Sequence, residues 1–412
     1  MSLQAQPSLI PGLPQSLLLC NARVALDPWH TVNAALLVRD GKIESILPDY
    51  DSRASYFRSA RVIDLSDHLV LPGLVNAHDH LHFGIFPRLG KGPYPSWREW
   101  ASDIYHPDEP PLRALLDVPK AERLWWGMIR NTLSGVTTVC HHDKSHPFLE
   151  NTELPVSVDS NFGWAHSLDD GDWADRYAQT PADWPFIVHF AEGVDPRSRR
   201  ETMKLERKTD LNDRIVLVHA VGVTKRGWNK LQAASVWVVW CPTSNLHILG
   251  RTLARDLLLN YPFIALGSDS PISAAGDLLI ELQAARALFD LPSDLLYQMV
   301  TTRPARLLRL SAHEGTISAG GAADLLILRD NGLAPCESLA ILTRNDLTAV
   351  MHNGRFTVAS NEFSARLDDP SCGTLFPLAR YGFQWHVALP PREMTLSHFS
   401  DNAELSCATS QN

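Results

Sequence analysis

The chain has 412 residues, which is longer than one average domain and favours two structural units. Hydrophobic residues make up 45% and charged residues 20% of the sequence, an ordinary globular composition that excludes extensive disorder. Lys and Arg total 37 against 46 Asp and Glu, a formal net charge of -9 without a basic block. This charge argues against nucleic acid as the main partner and favours a small neutral or cationic substrate.

The amino-terminal segment and the cysteines favour a cytoplasmic protein. The segment has no basic start, and Pro11 and Pro14 break its short apolar run, so neither a signal peptide nor a membrane span is expected. Six cysteines are scattered without CxxC spacing, which argues against a disulfide framework and against a thiolate zinc site. We expect no membrane partner.

Short apolar segments at the start of the chain predict β-strands. Two such segments are SLLLCNARVAL and AALLVRDGKIESILP. Asp40-Gly41 interrupts the second segment and favours a two-residue hairpin turn. A further strand, ARVIDLSDHLVLPG, ends at Pro72-Gly73, where the pattern changes to alternating strands and helices. A β-rich module is therefore expected at residues 1–71.

The next region, residues 72–314, repeats strand and helix patterns. After LVNAHDH, its strand-like runs are GVTTVCHH, PVSVDSNFG, PFIVHFAEG, RIVLVHAVG, SVWVVWCP and PFIALGSDSP. Repeated βα units favour a parallel sheet, and eight of them close into a barrel. About seven strands are recognisable. The segment from Asp143 to Trp184 is too short for two complete βα units, so either a helix is lost or a strand is irregular there.

Two helices, GDLLIELQAARALFDL and PSDLLYQMVTTRPARLLRL, close this region. HEGTISAGGAADLLILRDN then returns to short strands and turns, so residues 315–412 are expected to complete the β-rich module. The polar tail past about residue 392 is expected to be mobile.

Candidate metal ligands follow several of the predicted strands. His78 and His80 are two residues apart, and the two-residue period of a strand points both imidazoles to one side. His189, His219 and Asp269 each follow the apolar core of a later strand, and carboxyl ends of barrel strands form the active-site face. Neutral imidazoles and a carboxylate suit a divalent ion such as zinc, with a position kept open for water.

We assign His78, His80, His189 and Asp269 as the metal ligands. His219 could be a further metal ligand, but because these four suffice, we favour a role in orienting the attacking water or stabilising developing charge. Glu192 lies three residues beyond His189 at the barrel mouth, where a carboxylate can take and return protons. We assign Glu192 as the general acid and base.

The ordered motifs GLVNAHDHL, HFAEG, VHAVG, CPTSNLHILGR, LGSDSP and HEGTISAGGAADLLIL resemble the amidohydrolase superfamily. The most similar branch is that of cytosine deaminase and the triazine hydrolases, and the resemblance runs from residue 16 to about residue 330. It implies a distorted (β/α)8 barrel of the TIM type with a small β-sandwich built from both chain ends. It also implies one Zn or Fe ion, hydrolytic deamination of a ring, and an Asp269 that helps to deprotonate water.

Substrate contacts are harder to assign, because the short segment from Asp143 to Trp184 departs from the family pattern. The loop after the first barrel strand is rich in aromatic and basic residues and is expected to cover the pocket. Candidate contacts lie on this loop and at later strand ends: Arg88, Trp97, His142, His166 and Asn245. Asn245 could instead fix its own loop, and this structural role is slightly favoured.

The hypothesis from the sequence is hydrolysis of a C–N bond by metal-activated water, with Glu192 relaying a proton to departing ammonia. The substrate would be an amino-substituted pyrimidine, purine, pterin or triazine. Hydrolysis of an amide or of a ring C–Cl bond is an enzymatic alternative, and an inactive barrel scaffold is the non-enzymatic one. A homo-oligomer is expected.

Overall fold

A computed structural model describes residues 16–48, 60–151, 153–367, 375–380 and 383–388. The expected mobile tail past residue 392 lies outside these residues. The strands are β1 (Ser16–Ala25), β2 (Thr31–Arg39), β3 (Lys42–Leu47), β4 (Arg61–Asp64), β5 (His68–Pro72), β6 (Leu74–Asp79), β7 (Val136–His141), β8 (Ser157–Asp159), β9 (Gly163–Ser167), β10 (Phe186–Phe190), β11 (Ile215–His219), β12 (Trp237–Trp240), β13 (Ile264–Leu266), β14 (Leu325–Arg329), β15 (Leu347–His352), β16 (Arg355–Ser360), β17 (Leu375–Arg380) and β18 (Phe383–Ala388).

The helices are α1 (Trp97–Ile104), α2 (Leu112–Asp117), α3 (Lys120–Thr132), α4 (Trp173–Gln179), α5 (Pro196–Arg199), α6 (Glu201–Glu206), α7 (Lys225–Ala233), α8 (Pro242–Leu249), α9 (Arg255–Asn260), α10 (Leu278–Phe289), α11 (Ser293–Met299), α12 (Thr302–Leu307), α13 (Pro335–Ala340) and α14 (Asn361–Ser364). Within the described ranges, no helix has the length and apolar character needed to cross a membrane.

One sheet joins strands from both ends of the chain. Its order is β17-β18-β16-β15-β14-β5-β1-β2-β3, with β4 paired to β1. The predicted hairpin is confirmed: Arg39 pairs with Lys42, and the turn residues Asp40 and Gly41 have φ angles of 50° and 78°. Positive φ at both positions is the signature of a type I′ turn. The two β-rich ends of the sequence therefore meet in the same sheet.

The middle of the chain forms an α/β unit with two sheets of parallel strands, as predicted. The larger sheet has the order β13-β12-β11-β10-β9 and the smaller has the order β6-β7-β8. A parallel bridge between Asp79 and Asp269 connects β6 to the residues after β13, and the Asp269 amide donates to the His78 carbonyl at 3.0 Å. A Cβ at Gly267 would lie 2.8 Å from the His78 Cβ, so this approach requires glycine.

The unit has eight parallel strands, β6 to β13. The strand that was not among the seven recognised in the sequence is β9. Only residues 160–162 separate β8 from β9, and these two strands belong to different sheets. The short segment has therefore lost the helix between two strands, which is one of the two outcomes expected for it. The run GWAHS contains no β-branched residue and so lacks the usual strand composition.

The parallel strands are buried on both faces. Val188, Leu217 and Val238 pack in the core cluster that contains the flanking helices. Ile187 and Val218, on the other face, pack in a separate cluster with residues of β6, β7, β12 and β13. Two-sided burial explains why these strands appear in the sequence as continuous apolar runs. The four cysteines of the described part of the chain are free and buried, in agreement with the absence of CxxC spacing.

A buried ion pair fixes β6 to α3. The Asp79 side chain is inaccessible to solvent, and the Arg130 Nη2 lies 2.7 Å and 2.6 Å from its two carboxylate oxygens. Asn131 and Ser268 donate to the same carboxylate at 2.8 Å and 2.9 Å. Asp79 stands between His78 and His80 in the sequence, so this network holds the strand that carries both histidines.

Replacing Arg130 with Met is expected to lower the free energy of unfolding by about 3–5 kcal/mol, because the buried Asp79 carboxylate loses its charge partner. Arg176→Met serves as the control, because its ion pair with Asp172 is exposed and should contribute under about 1 kcal/mol. Urea unfolding of both variants measures the difference. Equal stabilities of the two variants would contradict the importance given to the buried pair.

Candidate metal centre

The four predicted metal ligands lie close together at the carboxyl ends of β6, β10 and β13. The His189 Nε2 lies 3.3 Å from the Nε2 of His78 and 3.3 Å from the Nε2 of His80. The Asp269 Oδ1 lies 3.7 Å from the Nε2 of both His78 and His80. The structure thus brings together all four residues that the sequence analysis assigned to the metal.

The 3.3 Å separations match the spacing of ligands in a tetrahedral zinc site, and the 3.7 Å separations of Asp269 exceed that spacing by a few tenths of an ångström. Ligand atoms at about 2.0–2.1 Å from an ion at tetrahedral angles lie about 3.3–3.4 Å from one another. Burial lowers the pKa of His80 and of His189 well below the usual value of imidazole. Both rings are therefore neutral at pH 7, which is the form that offers a lone pair to a metal.

Hydrogen bonds outside the ligand set orient its members. The His189 Nδ1 donates to the His166 carbonyl at 2.6 Å, which directs the Nε2 lone pair toward the other ligands. The Asp269 Oδ2 accepts bonds from Ser244 and Ser273 at 2.6 Å and 2.9 Å, which leaves Oδ1 for a metal. Burial opposes ionisation of Asp269, yet contacts with His78 and neighbouring imidazoles hold its pKa well below the ordinary value.

Glu192 and His219 face each other beside this ligand set. The His219 Nε2 lies 3.6 Å from the Glu192 Oε2 and 4.0 Å from the Asp269 Oδ2. The His219 Nδ1 donates to the Asn245 Oδ1 at 2.8 Å, which fixes the ring. The Nε2 atom therefore faces the carboxylates of Glu192 and Asp269. Burial, followed by the charges of Asp269 and Glu201, raises the pKa of Glu192 well above its usual value. A raised pKa suits a carboxyl group that exchanges protons near neutral pH.

Left-handed backbone positions aim several of these side chains. Ala191, His219, Ala220 and Asp269 have φ angles of 47°, 74°, 56° and 53°. Such conformations cost non-glycine residues roughly 1–3 kcal/mol each and occur preferentially at functional sites. Val218 packs on the strand face that contacts β6 and β7, so strict alternation would point His219 to the opposite face. The left-handed conformation of His219 explains why its side chain instead faces the ligand set.

His142, predicted only as a substrate contact, lies among the histidines. One of its ring nitrogens is within 4.8 Å of the ligand atoms of His78, His80 and His189. The His142 Nε2 donates to the Ala165 carbonyl at 3.1 Å, and its buried Nδ1 has no hydrogen-bond partner in the described ranges. A free lone pair therefore remains close to the ligand set.

The other predicted substrate contacts have different placements. The His166 ring lies 4.9 Å from that of His189 and 5.1 Å from that of Trp97, so both aromatic residues adjoin the site. Asn245 is fully buried and bonded to His219, which favours positioning over substrate contact. Arg88 is exposed and forms no hydrogen bond or ion pair within the part of the chain that the structure describes.

A second histidine group lies next to the ligand set. It contains His82, His141 and Asp143, with the His82 Nδ1 3.2 Å from the Asp143 Oδ2. The same oxygen already accepts a bond from the Lys120 Nζ at 2.8 Å. The His141 Nδ1 accepts the Leu81 amide, so its Nε2 carries the proton and offers no lone pair. This group does not suit a metal in the arrangement observed.

Helix α8 delivers Ser244 and Asn245 to the centre, and a buried carboxyl group holds its first turn. The Thr243 amide donates to the Glu281 Oε2 at 2.9 Å, and the Thr243 hydroxyl donates to Oε1. Burial raises the pKa of Glu281 to about 8. The sequence analysis did not identify Glu281, because it lies in the first turn of helix α10 and not at a strand end.

The chain is similar in sequence to known proteins. The Amidohydrolase family model matches residues 174–357. A 5-methylthioadenosine/S-adenosylhomocysteine deaminase of Pyrococcus furiosus is 24% identical over 409 residues, which cover 82% of this chain and 93% of that protein.

Two solved structures are similar in fold. An adenosine deaminase from Xanthomonas campestris with bound zinc has a TM-score of 0.65 at 20% identity, covering 84% of this chain and 94% of its own. A mutant atrazine chlorohydrolase from Arthrobacter aurescens, complexed with zinc and atraton, has a TM-score of 0.67 at 20% identity, covering 83% and 95%.

Replacing His189 with Asn is expected to lower zinc affinity by more than about a hundredfold. Loss of a residue that only orients a ligand costs about 10- to 100-fold, and His189 is assigned as a ligand itself. Metal analysis after equilibrium dialysis should show one ion per wild-type chain and less in the variant. His313→Asn is the control, because His313 is exposed and its ring bonds to the Ser318 hydroxyl, away from the ligand set. Undiminished zinc in the His189 variant would rule out the assigned ligand set.

Replacing Glu281 with Gln is expected to flatten the pH dependence of stability. The folded pKa of about 8 exceeds the ordinary 4.5, so the folded chain binds the extra proton and loses stability as pH rises from about 4.5 to 8. Gln does not titrate and should remove this loss. Thermal unfolding of both proteins at pH 5, 7 and 9 measures the effect. Parallel curves would contradict the raised pKa.

Proposed function

We propose that the chain is a zinc-dependent aminohydrolase of the amidohydrolase superfamily, which removes the amino group of a heterocyclic ring. The relatives named 5-methylthioadenosine/S-adenosylhomocysteine deaminases support aminopurines as the first candidate substrates. Pyrimidines, pterins and triazines with an exocyclic amino group each have an electrophilic ring carbon that bears this group, and they remain in the proposed class.

The convergence of three imidazoles and Asp269, with the buried Glu192 beside them, is the observation that carries the proposal. His78, His80, His189 and Asp269 would hold the ion. When bound, zinc would supply a Lewis acid that lowers the pKa of a water molecule. Iron is the alternative that the donor set also accepts.

The side chains have complementary roles in this proposal. Glu192, with its raised pKa, accepts a proton from the attacking water and returns it to the amino group. His219 accepts a hydrogen bond from that water through Nε2, because its Nδ1 is fixed on Asn245. Asp269 keeps its charge and orients the water. A C–O bond forms, the C–N bond breaks, and ammonia leaves with the relayed proton.

The substrate ring would lie between the ligand set and the residues beside it. His142 offers a buried acceptor at Nδ1, and Trp97 and His166 offer aromatic surfaces that suit a planar ring. Arg88 stays a candidate contact for a polar group of the substrate at the exposed edge.

We further propose that the eight parallel strands form a distorted barrel over residues 72–314. The link between Asp79 and Asp269 supports closure on one side. The sheet shared by both chain ends supports a β-sandwich built from residues 1–71 and 315–412. The free buried cysteines agree with a cytoplasmic location, and a homo-oligomer stays a prediction from the family resemblance.

Ammonia release by the zinc-loaded protein tests the reaction. The panel contains aminopurine nucleosides, aminopyrimidines, pterins and aminotriazines, with amides and a chlorotriazine as alternative substrates. Turnover of an amino-substituted ring is the expected result. Activity confined to amides or to the chlorotriazine would replace the deaminase proposal with one of the other hydrolytic reactions. A protein that binds zinc but acts on no compound would favour the scaffold.

Replacing Glu192 with Gln is expected to reduce kcat by about 10²- to 10⁴-fold, because the proton relay is lost. Zinc content should stay at one ion per chain, because Glu192 is not among the ligands. Steady-state kinetics with metal analysis of the same sample measures both quantities. Near wild-type kcat in the variant would eliminate Glu192 as the proton carrier.

A further inference from the structure

The backbone that carries Glu192 is held from outside the ligand set by a second buried carboxylate. We propose that Glu201, at the start of α6, is a positioning residue for Glu192 and links it to the segment that borders the substrate. This inference rests on the proposed function, because it assigns Glu201 a role in the same reaction. Neither the ligand set nor the proton relay includes Glu201.

The first link is a hydrogen bond to the turn before Glu192. The Glu201 Oε2 accepts the Ala191 amide at 2.7 Å, and the Ala191 carbonyl accepts the Gly222 amide at 2.7 Å. Ala191 has a φ of 47°, in the left-handed region that an alanine avoids by roughly 1–2 kcal/mol. Fixing both peptide groups of Ala191 stabilises this conformation and hence the direction of Glu192.

The second link is a short strap, residues 94–98, that runs beside the same turn. The Trp97 amide donates to the Glu192 carbonyl at 3.1 Å, and the Val194 amide donates to the Pro95 carbonyl at 2.8 Å. Ser96 and Gly193 form an antiparallel bridge between them. The strap and the Glu192 turn therefore form a two-stranded contact, and any shift of one displaces the other.

Glu201 connects these two links. The Arg98 Nη2 donates to the Glu201 Oε1 at 3.1 Å, and the Arg98 Nε donates to the Asp169 Oδ2 at 2.7 Å. Glu201 is only 5% exposed, so its charge needs this partner. One carboxylate thus fixes the turn through one oxygen and the strap through the other. Trp97, on the strap, is the residue whose ring adjoins His166.

The consequence is specific to the chemical step. A misplacement of about 1 Å in a catalytic group can cost roughly 10²-fold in rate. Loss of Glu201 frees the Ala191 amide and leaves Arg98 with Asp169 alone, so Glu192 loses its direction while the metal ligands keep theirs. We therefore expect kcat to fall with little change in zinc content.

Glu201→Ala is the main variant, and Glu206→Ala is its matched control. Glu206 lies on the same helix and forms an ion pair with Lys230, away from Glu192. We expect Glu201→Ala to reduce kcat by about 10- to 100-fold with KM within about threefold. Glu201→Gln keeps an acceptor for the Ala191 amide and should recover most of the lost kcat. Glu206→Ala should keep the kcat of the wild type.

Hydrogen exchange provides a readout that does not need a substrate. Peptides covering residues 186–194 and 94–98 should exchange faster in Glu201→Ala than in the wild type or in Glu206→Ala. If the alanine variant does not fold, Arg98→Met removes the same link from the strap side and should raise exchange in both segments.

The inference is overturned if exchange in both segments is unchanged, if kcat of Glu201→Ala stays within about threefold of the wild type, or if zinc is lost with activity. A wild type that deaminates no compound would instead overturn the proposed function, and the exchange result would still decide the link through Glu201.

Discussion

The contact between β6 and the end of β13 is the constraint on which the centre depends. The hydrogen bond from Asp269 to the His78 carbonyl joins the two parallel sheets and brings the first and last ligands together. Gly267 permits the close approach, and the buried pair of Asp79 and Arg130 holds β6 in place. This contact brings His78 and His80 to Asp269, which lies 189 residues beyond His80 in the sequence.

Three layers of interaction follow from that contact. The innermost is the set of three imidazoles and one carboxylate, which suits a single divalent ion. The next consists of side-chain and backbone partners that orient the ligands, such as Ser244 and the His166 carbonyl. The third layer fixes the backbone itself. Glu281 accepts a hydrogen bond from the first turn of α8, and Glu201 accepts one from the turn before Glu192. Each layer restricts the geometry of the one inside it.

The sequence could indicate the four candidate ligands because they obey a positional rule. His78, His80, His189 and Asp269 follow apolar strands, and carboxyl ends of parallel strands meet on one side. The hairpin at Asp40-Gly41 and the meeting of both chain ends were predicted for similar reasons, since turn chemistry and apolar alternation are local signals.

Other features depend on contacts between distant segments and leave no local pattern. The strand β9 lacks strand composition, and its place is set by pairing with β10. His142 follows its strand as the ligands do, but the sequence could not show that its Nδ1 stays without a partner. Arg130, Glu201 and Glu281 lie on helices, where a charged residue ordinarily indicates a solvated face. Their burial became evident only from the three-dimensional structure.

X-ray absorption spectroscopy of the zinc-loaded protein tests the central claim most directly, because it measures the ligands of the ion itself. Three imidazole nitrogens and a carboxylate oxygen predict a first shell at about 2.0–2.2 Å with the outer scattering of histidine rings. A shell with sulfur at about 2.3 Å, or one with fewer than two imidazoles, would contradict the assigned centre.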